Sequence, residues 1–340
     1  MDKLLVLHFS DFQLSSSLST TSTFANFTHM SNFRSELPNA DFCSFIYLEK
    51  WSFHINTKNI APWFISKWAS FIVRIPYMFF LFSKYDRVII YHSEAFYIYF
   101  PIFLLYRNKL VLQVNELYSN VNPNKVQLFF ELNYIRIFKK LIVSNYFLKT
   151  TWFPKKNTLL RGGYFQCGNK KNLDKKDVNS FIYVGSVNDD KMGNVSLLIK
   201  LIEKIPDHFN LCLCVLCSDL IYNILIDLSK SKSNVKLLRN VEDEDLNGIY
   251  KFYKYGLVLQ DPLKPFNSSS FPSKIFSYLN NDVIPLALPT PALKNSEVAE
   301  LIYFVYDFEW SNLYNIDFDL DNLHLVSSRL KISLHCFVYS

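Results

Sequence analysis

Glycine is scarce in this chain, and its distribution excludes one common kind of phosphate site. Only seven glycines occur in 340 residues, and all of them lie at or beyond Gly162. A glycine-rich loop, which lets backbone N–H groups approach a phosphate closely, therefore cannot exist in the first 161 residues. A phosphate site of that kind is restricted to the C-terminal half.

Charged residues are also few. They make up 19% of the chain, and the formal net charge is +6. A nucleic-acid-binding protein usually carries a denser basic stripe, so no nucleic-acid partner is expected. The modest positive balance leaves anionic ligands and contact with a membrane surface open.

The chain lacks an apolar run long enough to span a membrane. The aromatic-rich stretches Trp68–Phe82 and Ala95–Tyr106 fall short of the roughly 18–20 residues that a span requires, and Arg74 interrupts the first. Both are expected to be helices with a buried or membrane-facing side, since they are unusually rich in Phe, Tyr and Ile. The N-terminus resembles a first strand more than an export signal.

The cysteines form neither a disulfide framework nor a metal-ligand set. Three of the six lie close together, at Cys212, Cys214 and Cys217. Strand alternation places the first two on one face and the third on the other, so the three do not converge on a metal ion. We expect buried strand cysteines, no metal or other cofactor, and a reducing cytoplasm, with attachment to the inner face of the membrane left open.

What the chain does contain is a regular alternation of apolar strands and helices. Half of its residues are hydrophobic and 17% are aromatic, which predicts a folded protein, and its length favours two domains. In the first half the predicted strands are Leu4–Phe9, Phe45–Leu48, Arg87–His92, Leu110–Val114 and Leu141–Ser144. The predicted helices there are Phe64–Lys84, Glu94–Arg107 and Val126–Lys139. Buried strands separated by helices indicate a parallel sheet covered on both faces.

The alternation restarts after Ser180. The predicted strands are Phe181–Gly185, Leu211–Leu216, Val235–Leu238, Gly256–Gln260, Val283–Leu288 and Tyr303–Tyr306. The predicted helices are Val195–Lys204, Leu220–Ser229, Glu244–Tyr253, Ser273–Leu279 and Pro291–Leu301. The fold class is therefore α/β, with two doubly wound, Rossmann-like parallel-sheet domains facing a cleft. The predicted boundaries are 1–161 for the first domain, 162–178 for a hinge, 179–307 for the second domain and 308–340 for a tail.

The hinge is predicted from two adjacent glycines and a basic run. Gly162 and Gly163 are followed by a polar segment with four lysines. These are Lys170, Lys171, Lys175 and Lys176. A solvated linker is the favoured interpretation of this run.

The segment Phe266–Leu288 carries the clearest functional signal. Its serines offer hydroxyl and backbone N–H groups, Pro272 suits the first turn of a helix, and Lys274 lies in that turn. Together these groups predict an anion site of the kind that phosphates occupy. The segment also follows a strand of the second sheet, and ligands of such sheets bind beyond the carboxyl ends of the strands. An ordinary surface loop and helix is the alternative.

Several short motifs in this order resemble the donor domain of GT-B glycosyltransferases, in particular those of bacterial polysaccharide synthesis. Tyr183–Val187 followed by Lys191–Gly193 is similar to that family's glycine-then-lysine turn. Phe271–Lys274 with Tyr278 resembles the proline–lysine helix under its nucleotide diphosphate. Asn234–Val235 with Asp245–Leu246 and Ile249–Tyr250 resembles the strand and short helix before the family's donor loop. In the first half, Leu110–Glu116 followed by Leu141–Asn145 resembles the family's fifth and sixth strands. The likeness extends over most of residues 1–310.

The resemblance implies a metal-independent transfer of a sugar, hexose or related, from a nucleotide-diphosphate donor to a saccharide or lipid-linked acceptor in bacterial surface polysaccharide synthesis. It assigns the diphosphate to Lys274 and Lys191, with the serine hydroxyls donating hydrogen bonds. The expected donor-binding residues are Gly185, Ser186, Lys191, Asp261, Ser269, Ser270, Ser273, Lys274 and Tyr278. Many family members carry two glutamates seven residues apart, where this chain has Ser269 and Ser277. The donor and the stereochemical outcome therefore stay open.

The acceptor is expected on the first domain. Candidate groups at its strand ends are Ser10, Asp11, His92, Glu94, Asn115 and Glu116. An inverting enzyme needs a general base within reach of the acceptor hydroxyl, and Glu116 and Glu94 are the preferred candidates. In a retaining enzyme the departing phosphate could take the proton instead.

Two other functions compete with sugar transfer. A non-catalytic homologue, acting as a binding or scaffold subunit of a polysaccharide assembly complex, would explain the absent glutamates. A nucleotide-sugar epimerase on the same fold would convert its substrate without an acceptor. Turnover of a nucleotide sugar, with and without an acceptor, discriminates between these hypotheses.

Overall fold

The computed structural model describes residues 3–8, 37, 39–44, 53–55, 58–60, 67–115, 117, 125–163, 176–187, 194–264, 267, 270–306, 309–313, 316 and 321–339. The chain divides into two compact units. The first contains residues 1–162 and 331–340, and the second contains residues 163–330.

The first unit is built on a parallel sheet of six strands. In chain order the described strands of this unit, including two outside the sheet, are β1 (Leu4–His8), β2 (Asp41–Ser44), β3 (Phe53–Ile55), β4 (Lys58–Ile60), β5 (Arg87–Tyr91), β6 (Leu110–Val114), β7 (Lys140–Val143) and β8 (Asn157–Leu160). The sheet has the order β2-β1-β5-β6-β7-β8, and β3 pairs with β4 in a separate antiparallel hairpin. All five residues of β6 are buried, as expected of a central parallel strand.

Helices cover one face of this sheet. They are α1 (Lys67–Lys84), a 3-10 segment (Glu94–Tyr99), α2 (Phe100–Tyr106) and α3 (Lys125–Ile137), with a short π-helix at Leu148–Trp152. The core between them combines alternate strand residues, such as Leu5, Val88 and Leu112, with helix residues such as Phe82 and Phe103. The strand residues share one face because successive side chains of a strand point to opposite sides of the sheet.

The second unit repeats this plan. Its strands are β9 (Asp177–Ser186), β10 (Asn210–Leu216), β11 (Val235–Arg239), β12 (Tyr253–Val258), β13 (Ile284–Ala287) and β14 (Tyr303–Phe304). Its helices are α4 (Asn194–Lys204), α5 (Asp219–Lys230), α6 (Asp243–Tyr250), α7 (Lys274–Asn280) and α8 (Pro291–Lys294), with 3-10 segments at Ala299–Leu301 and Trp310–Leu313. The sheet is parallel with the order β11-β10-β9-β12-β13-β14, and apolar clusters lie on both of its faces. The predicted class of two Rossmann-like parallel-sheet domains is confirmed.

Several elements differ from the sequence-based expectation, among them the β3–β4 hairpin, which was not predicted. The second strand lies at Asp41–Ser44, whereas the predicted range Phe45–Leu48 falls outside the described residues. The edge strand β8 was not predicted, and neither was helix α9 (Asp321–Tyr339), which lies in the predicted tail. Residues of α9 from Lys331 onward belong to the first unit, where Lys140 Nζ donates to Phe337 O at 3.0 Å.

The prediction of a solvated basic linker is wrong for Lys176. This side chain is buried, and its Nζ donates to Asn281 O and to Asp282 O, both at 2.8 Å. Burial lowers the pKa of Lys176 to about 8. The lysine binds the carbonyl groups at the end of α7, where a helix leaves acceptors unsatisfied, and so anchors the start of β9. The other three lysines of the run lie outside the described residues.

Candidate functional site

The candidate site lies in the second unit, at the carboxyl ends of β9 and β12. In chain order the sheet reads 3-2-1-4-5-6, so the strand order reverses between these two neighbours. Such a reversal point is where parallel sheets with helices on both faces bind ligands. Gly185 and Ser186 end β9, and Asp261 follows β12, so three predicted donor-binding residues lie at this edge.

Gly185 allows another part of the chain to approach closely. Its φ is +141°, a backbone conformation that side chains disfavour. A Cβ atom placed on Gly185 would lie 2.8 Å from Lys274 Nζ and 3.2 Å from Lys274 Cε. The structure therefore brings together two residues that the sequence analysis selected from segments 89 positions apart.

Lys274 supplies the positive charge of the site. It is the first residue of α7, and its Nζ lies 4.1 Å from the centroid of the Tyr183 ring. The residue as a whole is half-buried, but its ammonium group is desolvated, and this burial lowers the pKa of Lys274 to about 7. Among the described residues, no carboxylate contributes to that shift. An anion beside the ammonium would therefore stabilise its charged form.

Buried hydrogen bonds fix the end of β9, which lies against Lys274. The Tyr183 hydroxyl donates to Ser186 O at 2.9 Å, and Asn194 Nδ2 donates to the Tyr183 hydroxyl and to Ser186 O at 3.0 and 2.8 Å. Asn194 is the first residue of α4, so these bonds tie the end of β9 to the start of the next helix. Burial raises the pKa of Tyr183, which keeps its hydroxyl neutral.

Tyr278, a predicted donor-binding residue, lies beneath this edge and supports it. The side chain is fully buried in α7. Its hydroxyl accepts from Val184 N and donates to Leu257 O, both at 3.1 Å, and thereby links β9 to β12. The sequence pattern identified the residue but could not show that main-chain groups occupy its hydroxyl.

The Tyr278 ring lies against Gly256 and leaves no room for a side chain there. A Cβ on Gly256 would come within 2.5 Å of the ring. Because the ring is enclosed, we expect Gly256→Ala to lower the free energy of unfolding by about 2–4 kcal/mol in urea titrations. Gly248→Ala is the matched control, since no atom lies within 4 Å of that added methyl and Gly248 is an exposed residue of α6. This control should be neutral or stabilising, and equal effects of the two substitutions would contradict the prediction.

The turn after β12 is held by its own side chains. Asp261 Oδ1 accepts from Leu263 N at 2.9 Å, and Asn267 Nδ2 donates to Asp261 O at 2.8 Å. The predicted donor contact Asp261 thus shapes the turn, and one of its carboxylate oxygens is engaged locally. The preceding residue, Gln260, is buried, and its Oε1 has no hydrogen-bond partner among the described residues. Gln260 was not among the predicted site residues, although an amide at the end of the apolar run Leu257–Leu259 is visible in the sequence.

The serine loop and the second lysine are only partly described. Lys191 and Ser269 lie outside the described residues. Ser270 is half-buried, and Ser273 occupies the N-cap position of α7 without a side-chain capping bond. Ser277, which stands where the resemblance implies a glutamate, is half-buried on α7.

In the first unit, the two predicted bases cannot be placed. Glu116 lies outside the described residues, and Glu94 begins the 3-10 segment with its side chain outside them. A different acid–base pair lies near the end of β5, where His92 Nε2 is 2.8 Å from Glu131 Oε1 and both side chains are buried. His92 packs against the rings of Tyr97 and Tyr134, each centroid 5.8 Å away.

Polar side chains continue along the carboxyl ends of the neighbouring strands. Gln113 Nε2 lies 3.3 Å from Asn115 Oδ1, Asn115 contacts the Tyr91 hydroxyl, and the Ser144 hydroxyl donates to Asn115 O. The main-chain N–H of His92 donates to Gln113 O at 2.8 Å. This network stiffens the edge that carries Asn115. His92 and Glu131, 39 residues apart, could not be paired from sequence.

A shallow groove also exists at the opposite edge of the second sheet, among the residues that begin its strands. Its lining includes Asp177, Asn210, Lys236 and Tyr253. We favour the carboxyl edge as the functional site because the desolvated Lys274 and the reversal of strand order are both found there. Among the described residues, no group of three His, Cys, Asp or Glu side chains is placed to hold a metal ion.

Comparisons with known proteins bear on the fold. No protein-family model matches the sequence, and no curated protein was found to be similar to it. Among solved structures, the chain is similar to HepE from Anabaena in complex with UDP (TM-score 0.57, 12% identity, 98% of this chain and 95% of that one). It is also similar to the catalytic domain of starch synthase IV from Arabidopsis thaliana bound to ADP and acarbose (0.60, 9%, 99% of each).

A third similar structure is the lipopolysaccharide outer core galactosyltransferase WaaB in its apo form (0.57, 10%, 99% of each chain). These likenesses cover nearly the whole length of both partners at very low identity, and they agree with two six-stranded parallel sheets of Rossmann-like type. The chain therefore has the GT-B fold.

Proposed function

We propose that this protein is a glycosyltransferase that moves a sugar from a nucleotide-diphosphate donor to a saccharide acceptor. The observation that carries the proposal is the Lys274 ammonium, desolvated above Tyr183 and against Gly185 at the reversal point of the second sheet. A desolvated cation at the ligand-binding edge of a Rossmann-like sheet is suited to a diphosphate. The GT-B fold, found in proteins solved with UDP or ADP, supports the same chemistry.

The lysine would contribute most as the sugar–phosphate bond breaks. Negative charge then accumulates on the departing diphosphate, and a fixed ammonium in a desolvated site stabilises it more than it stabilises the bound donor. We propose a metal-independent reaction, with Lys191 and the hydroxyls of Ser269, Ser270 and Ser273 completing the diphosphate site. Glu116 or Glu94 is the proposed base for an inverting transfer, and the departing phosphate takes that role in a retaining one.

For the acceptor we propose a lipid-linked saccharide of bacterial surface polysaccharide synthesis, used by a cytoplasmic enzyme at the inner face of the membrane. The exposed aromatic side chains of α1 and α3 support contact with a membrane. The similar structure WaaB, described as a lipopolysaccharide outer core galactosyltransferase, supports the polysaccharide role. The transferred group would be a hexose or a related sugar.

The second candidate is a non-catalytic homologue that binds nucleotide sugars within an assembly complex. Ser277 favours it, because this described residue of α7 stands where the resemblance implies a glutamate. Such a protein would bind a nucleotide diphosphate but would not release it from a nucleotide sugar.

Ligand-induced thermal stabilisation tests the proposal. We expect one of UDP, ADP and GDP to raise the unfolding temperature by several degrees at a hundredfold excess over Kd, which corresponds to about 2.7 kcal/mol. The monophosphate of the same base should stabilise the protein less, since it lacks the phosphate that Lys274 would contact. The reaction of a nucleotide sugar, followed with and without saccharide acceptors, then separates the candidate functions. Transfer releases the nucleotide diphosphate when an acceptor is present, epimerisation converts the sugar without an acceptor, and binding alone does neither. Failure of all three diphosphates to stabilise the protein would contradict the proposal.

A further inference from the structure

The helices on one face of the first sheet present an outer surface that is mostly apolar. We call this surface the apolar face and define it by six exposed side chains of α1, the 3-10 segment, α2 and α3. They are Phe80, Ile98, Phe100, Leu105, Phe129 and Phe130. The exposed fractions reach 72% for Leu105 and 64% for Phe129, so these large side chains stand in solvent when the chain is alone.

The spacing of these residues departs from that of a solvated helix. In α1 the exposed positions Pro76, Phe79 and Phe80 lie on one stripe, three and four residues apart. In α3 Val126, Phe129 and Phe130 do the same. A surface helix normally places charged and polar residues on the stripe opposite the core. Here apolar residues occupy both the core-facing stripe and much of the outer one.

The apolar face is continuous across the helices. The rings of Phe79 in α1 and Tyr106 in α2 meet edge to face, with centroids 5.9 Å apart. Beneath the face, the buried rings of Phe103 in α2 and Tyr134 in α3 also meet edge to face, at 6.0 Å, so α2 and α3 are neighbours. Because the helices pack side by side on one sheet face, their outer stripes form one surface. Single exposed apolar residues are ordinary, but a continuous patch marks an interaction site.

The charges around the apolar face are positive. The exposed residues Lys84, Arg107, Lys125 and Arg136 lie at or next to the ends of the three helices. Among the described side chains of these helices and the 3-10 segment, Glu131 is the one carboxylate, and it is buried against His92. The excess of positive charge extends to the whole first unit, which has nineteen lysines and arginines and nine acidic residues. The second unit has seventeen lysines and arginines and twenty-one acidic residues.

We propose that the apolar face docks onto an anionic phospholipid bilayer. Its phenylalanine and leucine side chains enter the boundary between head groups and acyl chains, and the four cations contact lipid phosphates. A bilayer matches both features at once, since it offers an apolar interior bordered by negative charge. No helix among the described residues is long and apolar enough to cross a bilayer, so the helices lie along its surface. This inference rests on the proposed function, because a lipid-linked acceptor at the membrane surface is the reason for the protein to bind there.

Vesicle sedimentation with the full-length protein tests the docking. We expect retention on vesicles of equal parts phosphatidylcholine and phosphatidylglycerol, and retention roughly tenfold weaker on phosphatidylcholine alone or in high salt. The triple variant F80S/L105S/F129S should bind the anionic vesicles about tenfold or more weakly, because it removes three inserting side chains. The pair R107E/K125E should weaken binding to anionic vesicles selectively.

The second unit offers a matched control. Leu220, Phe252 and Leu263 are exposed to a similar or greater extent, so L220S/F252S/L263S also replaces three large exposed apolar side chains with serine. We expect anionic vesicles to retain this control variant as well as they retain the unaltered protein. If the two triple variants lost vesicle binding to the same extent, the proposal would be overturned. Failure of the protein to sediment with anionic vesicles would also overturn the proposal. So would the finding that the protein does not bind vesicles but forms a dimer in sedimentation velocity, and that F80S/L105S/F129S abolishes the dimer. Stabilisation by a nucleotide diphosphate, measured without vesicles, tests the proposed function separately.

Discussion

Replacing Lys274 with Met should strongly weaken nucleotide-diphosphate binding while making the free protein more stable. Met keeps most of the volume of the side chain above Tyr183 but cannot pair with a phosphate. Removing a charge-assisted contact of about 2–3 kcal/mol weakens binding roughly 30- to 160-fold. The free protein gains because burial, which lowers the pKa of Lys274 to about 7, disfavours its charged form.

The gain in stability depends on pH in a defined direction. The pKa of Lys274 lies near 7 in the folded protein and near 10.5 in the unfolded chain. Below pH 7 both states are charged and the full cost of burial is present, whereas above pH 10.5 both are neutral and the cost vanishes. Relaxation of the long side chain toward water should reduce this cost to roughly 1–3 kcal/mol. The stability advantage of Lys274→Met should therefore be largest below pH 7 and shrink as the pH rises.

Nucleotide binding should follow the same titration. An adjacent phosphate raises the pKa of Lys274, so binding takes up a proton above pH 7 and the affinity falls by at most about tenfold per pH unit there. Isothermal titration calorimetry between pH 6 and about 9 measures this slope, which should be absent from Lys274→Met. Lys294→Met is the control, because Lys294 also lies over a tyrosine ring, at 5.8 Å from the Tyr306 centroid, but is exposed. If the two variants behaved alike, Lys274 would have no special role.

Much of the architecture could be predicted because buried parallel strands leave a strong local signal. Strand β6, Leu110–Val114, has the predicted bounds, and β5 and β10 differ from prediction by one residue at one end. The edge strand β8 has only four residues and is half-exposed, so its pattern resembles that of a loop. Helix α9 was not predicted although its buried residues Val326, Leu330 and Leu334 recur every four positions, because exposed apolar residues such as Leu325 and Ile332 obscure that period in the sequence.

The candidate site was assembled from residue types, and the contacts between those residues could not be predicted from the sequence. Lys274 and Gly185 were selected from separate motifs, yet their contact depends on how α7 packs against β9. The same local pattern placed Tyr278 in the site, whereas the fold turns its hydroxyl to main-chain groups. The basic run around Lys176 had the composition of a linker, and tertiary carbonyl acceptors determined its burial instead. Contacts between distant segments decided each of these cases.

Replacing Gly185 with Ala should weaken both folding and nucleotide binding. The φ of +141° costs a non-glycine residue about 1–3 kcal/mol, and the new methyl would collide with the Lys274 ammonium. We expect a loss of stability of that size in urea titrations and binding at least about tenfold weaker, because the displaced lysine no longer faces the phosphate. Gly248→Ala controls for the added methyl itself, since its surroundings are open.

A double-mutant cycle separates the two causes of the expected loss. Backbone strain at Gly185 does not depend on residue 274, whereas the collision with the ammonium does. If the collision contributes, the stability changes caused by Gly185→Ala and Lys274→Ala will not add, and Gly185→Ala will cost roughly 0.5–3 kcal/mol less when residue 274 is Ala than when it is Lys. Strict additivity would mean that strain alone makes glycine necessary at the end of β9. The smaller cost would instead mean that glycine at position 185 is what allows the ammonium to rest at the strand end.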